Sequence, residues 1–158
     1  MKERAILVTL RDNTSASEST QAAEEMEELS GAAGLSVLQN LVVRQRRANS
    51  AIFIGRGKAE ELALLAKKEK ANVIVFDGDF SPTQQRNLEE VLRVKTVDRT
   101  QLILDIFALR ARSTEGKLQV ELAQLKYLLP RLSGEGIYLS RLGGGVGTRG
   151  PGDRKSVV

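Results

Sequence analysis

The chain has 158 residues, 28% charged and 4% aromatic, with no Cys, His or Trp, so it suits one compact domain of roughly 100–150 residues. The missing residue types exclude disulfides, thiol nucleophiles, Cys or His zinc sites and Ser-His-Asp triads, leaving carboxylates, hydroxyls, lysines and backbone amides for any chemistry. The net charge of +4 hides a division, because Asp12 to Val43 holds six acidic residues and no Lys or Arg, leaving +10 on the remainder; this favours a polyanionic partner or, as readily, a solvated basic face.

Met1-Lys2-Glu3-Arg4 leads into the short apolar run Ala5 to Leu10, a first strand, with no signal-peptide h-region. No apolar run approaches the roughly 18 residues that cross a bilayer, so a soluble, cytoplasmic protein with no membrane span is expected. Ala22, Met26, Leu29 and Ala33 share one helix face, with five glutamates largely on the other and Gly31 and Gly34 at the C-terminal end. Leu35 to Val43 reads as a second strand. Ala51 to Ile54 leads into the turn Gly55-Arg56-Gly57-Lys58, and a helix is expected from about Ala59 to Lys70. Asn72 to Phe76 is a continuous apolar strand of the kind covered on both faces in a parallel sheet. Ser81-Pro82-Thr83-Gln84 supplies a cap, a proline at the first helical position and the partner of a capping box. Lys95 to Val97 returns as a strand, and Asp98 to Gln101 repeats the capping chemistry. This β-α-β alternation argues for an α/β fold, a small parallel sheet with flanking helices.

The stretch after Asp98 carries Leu104, Ala108, Ala111, Glu115, Leu118, Leu122, Leu125 and Leu129 at alternating spacings of four and three. That is a heptad seam on a long helical arm, with a kink or break near Ser113 to Gly116 and an end at Pro130. The division expected is residues 1–98 as the α/β subdomain and 99–158 as the arm with a glycine-rich loop. A seam of this kind needs a partner helix. Self-association through the arm, or collapse of the arm onto the α/β layer, is therefore expected.

Three motifs carry competing readings. Gly147 to Gly152 has the glycine spacing of a Walker A loop, but Asp153 and Arg154 stand where Lys and Ser/Thr are required, and the segment follows a helix. The glycines from Gly143 to Gly152, interleaved with Arg141, Arg149, Arg154 and Lys155, read as backbone able to approach a phosphate-rich surface closely, or as a flexible linker. Gly55, Arg56, Gly57 and Lys58 stand between a strand and a helix, where anions bind, although such a spacing more often marks a tight strand-to-helix turn. Asp77-Gly78-Asp79 could hold Mg²⁺ at a strand end, or simply cap the turn before Ser81.

In combination the segments are more specific. Val73 to Asp77 followed by Ser81 to Glu89, Val97 to Ala108, Glu115 to Leu132 and Gly143 to Gly152 together resemble the HflX family of translational GTPases, and the Phe53 to Lys58 turn fits as well. The resemblance implies an N-terminal α/β subdomain joined to an antiparallel helical hairpin, of which the arm is one half, ahead of a GTPase domain that binds GTP and Mg²⁺. It implies binding to the large ribosomal subunit and splitting of stalled ribosomes. Carried over by position, Arg131, Arg141, Gly143, Gly144, Gly145, Gly147, Thr148, Arg149, Gly150 and Gly152 become candidates for ribosomal RNA contact. The family pattern continues past Gly-Pro-Gly into a return helix, whereas Asp153 to Val158 stand here. No catalytic residue, metal ligand or cofactor is therefore expected on this chain.

The leading expectation is a non-catalytic RNA-binding module. The alternative is a nucleotide-binding, ATP-directed α/β domain using Gly55, Gly57 and Lys58 for phosphates and Asp77 or Asp79 for Mg²⁺. A third is an interaction module whose seam recruits a protein.

Overall fold

The computed structural model describes residues 2–11, 16–45, 51–132, 145–147 and 150–151. In chain order these form β1 (Arg4–Arg11), α1 (Ala16–Ala32), β2 (Ser36–Arg44), α2 (Arg56–Glu69), β3 (Val73–Asp77), α3 (Pro82–Leu92), β4 (Lys95–Val97), α4 (Arg99–Arg110) and α5 (Thr114–Leu132). The strands are all parallel, in the order β2-β1-β3-β4.

Alternation along the central strands divides the core in two. Ile6, Val8, Ile74 and Phe76 pack with Leu62 and Ala66 of α2 and with Leu88 and Leu92 of α3. Ala5, Leu7, Val73, Val75 and Val97 pack with Met26 of α1 and with Leu102 and Ile106 of α4. β1 and β3 thus read as unbroken apolar runs because helices cover both faces of the sheet.

The local chemistry read from the sequence operates as written at α3. Ser81 Oγ accepts from the Gln84 amide at 3.1 Å, Gln84 Oε1 accepts from the Ser81 amide at 2.9 Å, and Pro82 takes the first turn. Helix α2 begins three residues earlier than expected, because Gly55 is its N-cap and the Gly55 carbonyl accepts from the Ala59 amide at 2.9 Å. Before it, Phe53 adopts φ 70° and places its ring edge-on to Phe76 and Phe80. A Cβ on Gly78 would stand 2.9 Å from that ring, so the turn after β3 requires glycine.

The arm departs from expectation in two ways. The break falls at residues 111–113, where Ser113 Oγ accepts from the Gly116 amide at 3.0 Å and starts a new helix. It is a reversal, not a kink: α5 returns beside α4, so that Tyr127 reaches Asp98 at the other end of α4. Pro130 also does not end the helix, which continues to Leu132. A proline costs a helix its own amide bond and crowds the preceding turn, and here the buried side chain of Arg131, donating to the Tyr127 carbonyl, holds the last turn together.

Candidate functional site

Helix α5 is fastened at its far end by Arg131. Arg131 Nε donates to Gln85 Oε1 at 2.9 Å, Nη2 to the Phe80 carbonyl at 2.6 Å and Nη1 to the Tyr127 carbonyl at 3.1 Å. The guanidinium stacks 3.8 Å from the centre of the Tyr127 ring, and Nη2 lies 3.7 Å from Asp98 Oδ2. Tyr127 Oη donates to Asp98 Oδ1 at 3.0 Å, and the same oxygen caps α4 by accepting from the Gln101 amide at 2.9 Å. Burial pushes the Asp98 carboxyl up to about 6, and the nearby Asp79 charge adds to this; the Gln101 amide, the Tyr127 hydroxyl and Arg131 oppose it. The expectation that Arg131 faces RNA is therefore corrected. It is 7% exposed, and its donors are committed inside the protein.

The β3 carboxylates are engaged as well. Arg99 Nη1 donates to Asp77 Oδ1 at 3.1 Å and Nη2 to Glu25 Oε1 at 2.5 Å, which holds the guanidinium above its ordinary pKa, the Glu25 bond being the larger cause. Asp79 Oδ1 accepts from both the amide and the hydroxyl of Thr100. Both carboxylates thus face the start of α4 and not the turn before Ser81. Among the described residues no group of three or more acidic side chains could hold a metal ion. Gly55, Arg56, Gly57 and Lys58 come together as the solvent-facing start of α2, with Arg56 paired to Glu60 and Lys58 to Glu61 within the helix.

Of the glycine-rich segment, the structure describes residues 145–147 and 150–151. Val146 is fully buried against Leu102 and Ile106 of α4 and the strands beneath them. Its amide donates to Glu3 Oε1 at 2.8 Å, and the Gly147 amide donates to Asp105 Oδ2 at 2.5 Å. Gly145 lies against the Glu3 carboxylate, and Gly150 has open space where a Cβ would stand. Arg141, Gly143, Gly144, Thr148, Arg149 and Gly152 lie outside the described residues.

Leu118, Leu122, Leu125 and Leu129 form an exposed stripe on α5, each between 44% and 61% accessible. Sequence reasoning identified the stripe but missed the groups that fasten the arm. Asp98 was visible only as a cap. Gln85, Tyr127, Glu3 and Asp105 meet their partners across the fold, and no local spacing signals such contacts.

Residues 20–108 match the family model for the GTP-binding GTPase N-terminal region, and residues 110–156 match that for the GTP-binding GTPase middle region. The GTPase HflX of Caldanaerobacter subterraneus subsp. tengcongensis is 53% identical over 157 residues, covering 99% of this chain and 36% of that protein. The Escherichia coli GTPase HflX is 48% identical over 130 residues, covering 82% of this chain and 30% of that protein. Among solved structures, a GTP-binding protein from Sulfolobus solfataricus in complex with GDP aligns with a TM-score of 0.62 at 29% identity, covering 84% of this chain and 38% of that one. The chain thus spans about a third of the length of the relatives it matches.

Proposed function

The chain belongs to the HflX family of GTP-binding proteins, of which it spans the N-terminal and middle regions, and from that premise we propose that it is the family's ribosome-contacting part. In this reading it acts in the cytoplasm and binds ribosomal RNA of the large subunit. The full-length protein uses this contact, together with GTP hydrolysis, to split or rescue stalled ribosomes. The observation that carries the reading is the run of glycines interleaved with Arg141, Arg149, Arg154 and Lys155 after α5.

The mechanism is neutralisation of phosphates by these cations, together with close approach of glycine backbone to a confined RNA surface. The described carboxylates do not fit a GTP–Mg²⁺ site, since Asp77 is paired with Arg99 and Asp79 accepts from Thr100, and no group of three acidic side chains is placed to hold a metal ion among the described residues. We therefore assign GTP and Mg²⁺ to the remainder of the full-length protein, and no catalysis to this chain. The same contacts weigh against the ATP-directed alternative.

Co-sedimentation with purified large ribosomal subunits across a salt series tests the proposal. Four phosphate contacts give a drop of roughly 50- to 150-fold in affinity between 50 and 200 mM salt. Binding indifferent to ionic strength would contradict it.

A second reading, self-association of this chain through α5, is favoured by the exposed leucine stripe. Sedimentation equilibrium showing a monomer at every concentration would refute it.

A further inference from the structure

We propose that Glu3 and Asp105 form an intramolecular clasp on the glycine-rich segment, holding the Val146 and Gly147 amides with carboxylates that stand where phosphate oxygens would bind. The docked segment must then be released before these amides can meet RNA. The inference rests on the RNA-binding reading and adds a built-in competitor to it.

Four observations carry it. First, two consecutive amides of the segment each donate to a different acidic side chain, at 2.8 Å and 2.5 Å. Gly145 at φ 82° and Gly147 at φ 90° flank Val146 in left-handed backbone, the conformation that turns successive amides toward an anion. Second, each carboxylate is also held by a partner outside the segment. Asp105 is fully buried and its other oxygen accepts from Gln101 Nε2 at 2.7 Å, while the other oxygen of Glu3 accepts from Lys95 Nζ at 2.5 Å. Third, Gly145 lies at φ 82° against the Glu3 carboxylate, so a Cβ there would be strained by the backbone and would press on that carboxylate. Fourth, Val146 is a buried plug in the core cluster that holds Leu102 and Ile106, so docking is stabilised by apolar contact as well as by hydrogen bonds.

Charge-assisted hydrogen bonds from amides to carboxylates use the same donors that phosphate oxygens would use. A segment held this way is unavailable to RNA for as long as it is docked, and its apparent affinity falls by the fraction that is free. Glu3 and Asp105 lie outside the segment, so they can be changed without touching the proposed RNA contacts.

The test uses the full chain with Asp105→Ala and, separately, Glu3→Ala. Amide exchange over residues 145–147 is followed by mass spectrometry, and affinity for purified large ribosomal subunits is measured on the same samples. Exchange in β3 reports that the fold is intact. Each variant is expected to exchange at least about tenfold faster at residues 145–147, with β3 unchanged, and to bind large subunits several-fold more tightly. Asp105→Asn should behave as the parent, because its side-chain oxygen can still accept from Gly147 once Gln101 turns its amide. Unchanged exchange in both alanine variants would overturn the clasp. Faster exchange with equal or weaker binding would overturn its inhibitory role while leaving the RNA reading intact. If neither parent nor variants bind, the RNA reading fails and the inhibitory role fails with it.

Discussion

Replacing Arg131 by Ala removes the fastening of α5. The guanidinium donates three hydrogen bonds and faces the buried Asp98 carboxylate, so its loss strips Gln85 Oε1 and the Phe80 carbonyl of these donors and leaves Asp98 without its nearby cation. Breaking one side of a buried ion pair costs about 3–5 kcal/mol, and each orphaned buried acceptor accounts for about 1–3 kcal/mol of such a loss. At about 2–4 °C per kcal/mol for a chain of this size, the melting temperature should fall by about 6–20 °C. Local release limits the fall. Arg131 is the one buried residue described on α5, and the apolar stripe of that helix faces solvent, so α5 can leave while the sheet stays folded. Thermal melts should therefore be paired with limited trypsin digestion, which reads cleavage after Lys117 and Lys126. Either a lowered melting temperature or rapid cleavage in α5 with a resistant α/β layer is the expected result. A variant that melts within about 2 °C of the parent and resists cleavage equally would refute the reasoning.

Tyr127→Phe deletes the hydroxyl that donates to Asp98 and should cost about 1–2 kcal/mol, measured by urea denaturation. Because burial raises the Asp98 pKa to about 6 from 3.8, the folded state binds the proton more tightly than the unfolded chain. The stability this group adds is complete below about 3.8 and is lost as pH rises through about 6, amounting to about 3 kcal/mol. The stability difference between the parent and Asp98→Asn should therefore shrink in the parent's disfavour from pH 4 to pH 7; a flat difference across that range would contradict it. Ser81→Ala removes the α3 cap and should cost about 1 kcal/mol in denaturant. Leu122→Gln with Leu125→Gln changes side chains that are 54% and 44% exposed, so it should abolish any concentration-dependent association in sedimentation while leaving the melting temperature within about 2 °C.

What could be read from the sequence was what the chain specifies locally. The capping box at Ser81, the cap at Asp98 and the apolar runs of β1 and β3 depend on residues a few positions apart, and each stands where it was expected. The start of α2 was misjudged because Gly55 caps it without a side-chain bond. The reversal at 111–113 was readable only as a break, since Ser113 marks a helix start but the direction of α5 is set by Tyr127 and Arg131 reaching back to Asp98, Phe80 and Gln85. Arg131 looked like one more cation in a basic region. Only the fold shows that 46 residues of separation from Gln85 close to a hydrogen bond. The bonds from the Val146 amide to Glu3 and from the Gly147 amide to Asp105 span 143 and 42 residues, and glycine spacing alone points to flexibility or close approach, not to an internal partner.

The most direct test of the central claim is chemical footprinting of the large ribosomal subunit's RNA with the parent chain and with an Arg141→Glu/Arg149→Glu variant, at low and at physiological salt. A confined footprint that weakens with salt and disappears in the variant is the predicted result. A footprint unchanged by the charge reversals, or protection absent with the parent at low salt, would contradict an RNA-contacting role for the glycine-rich segment.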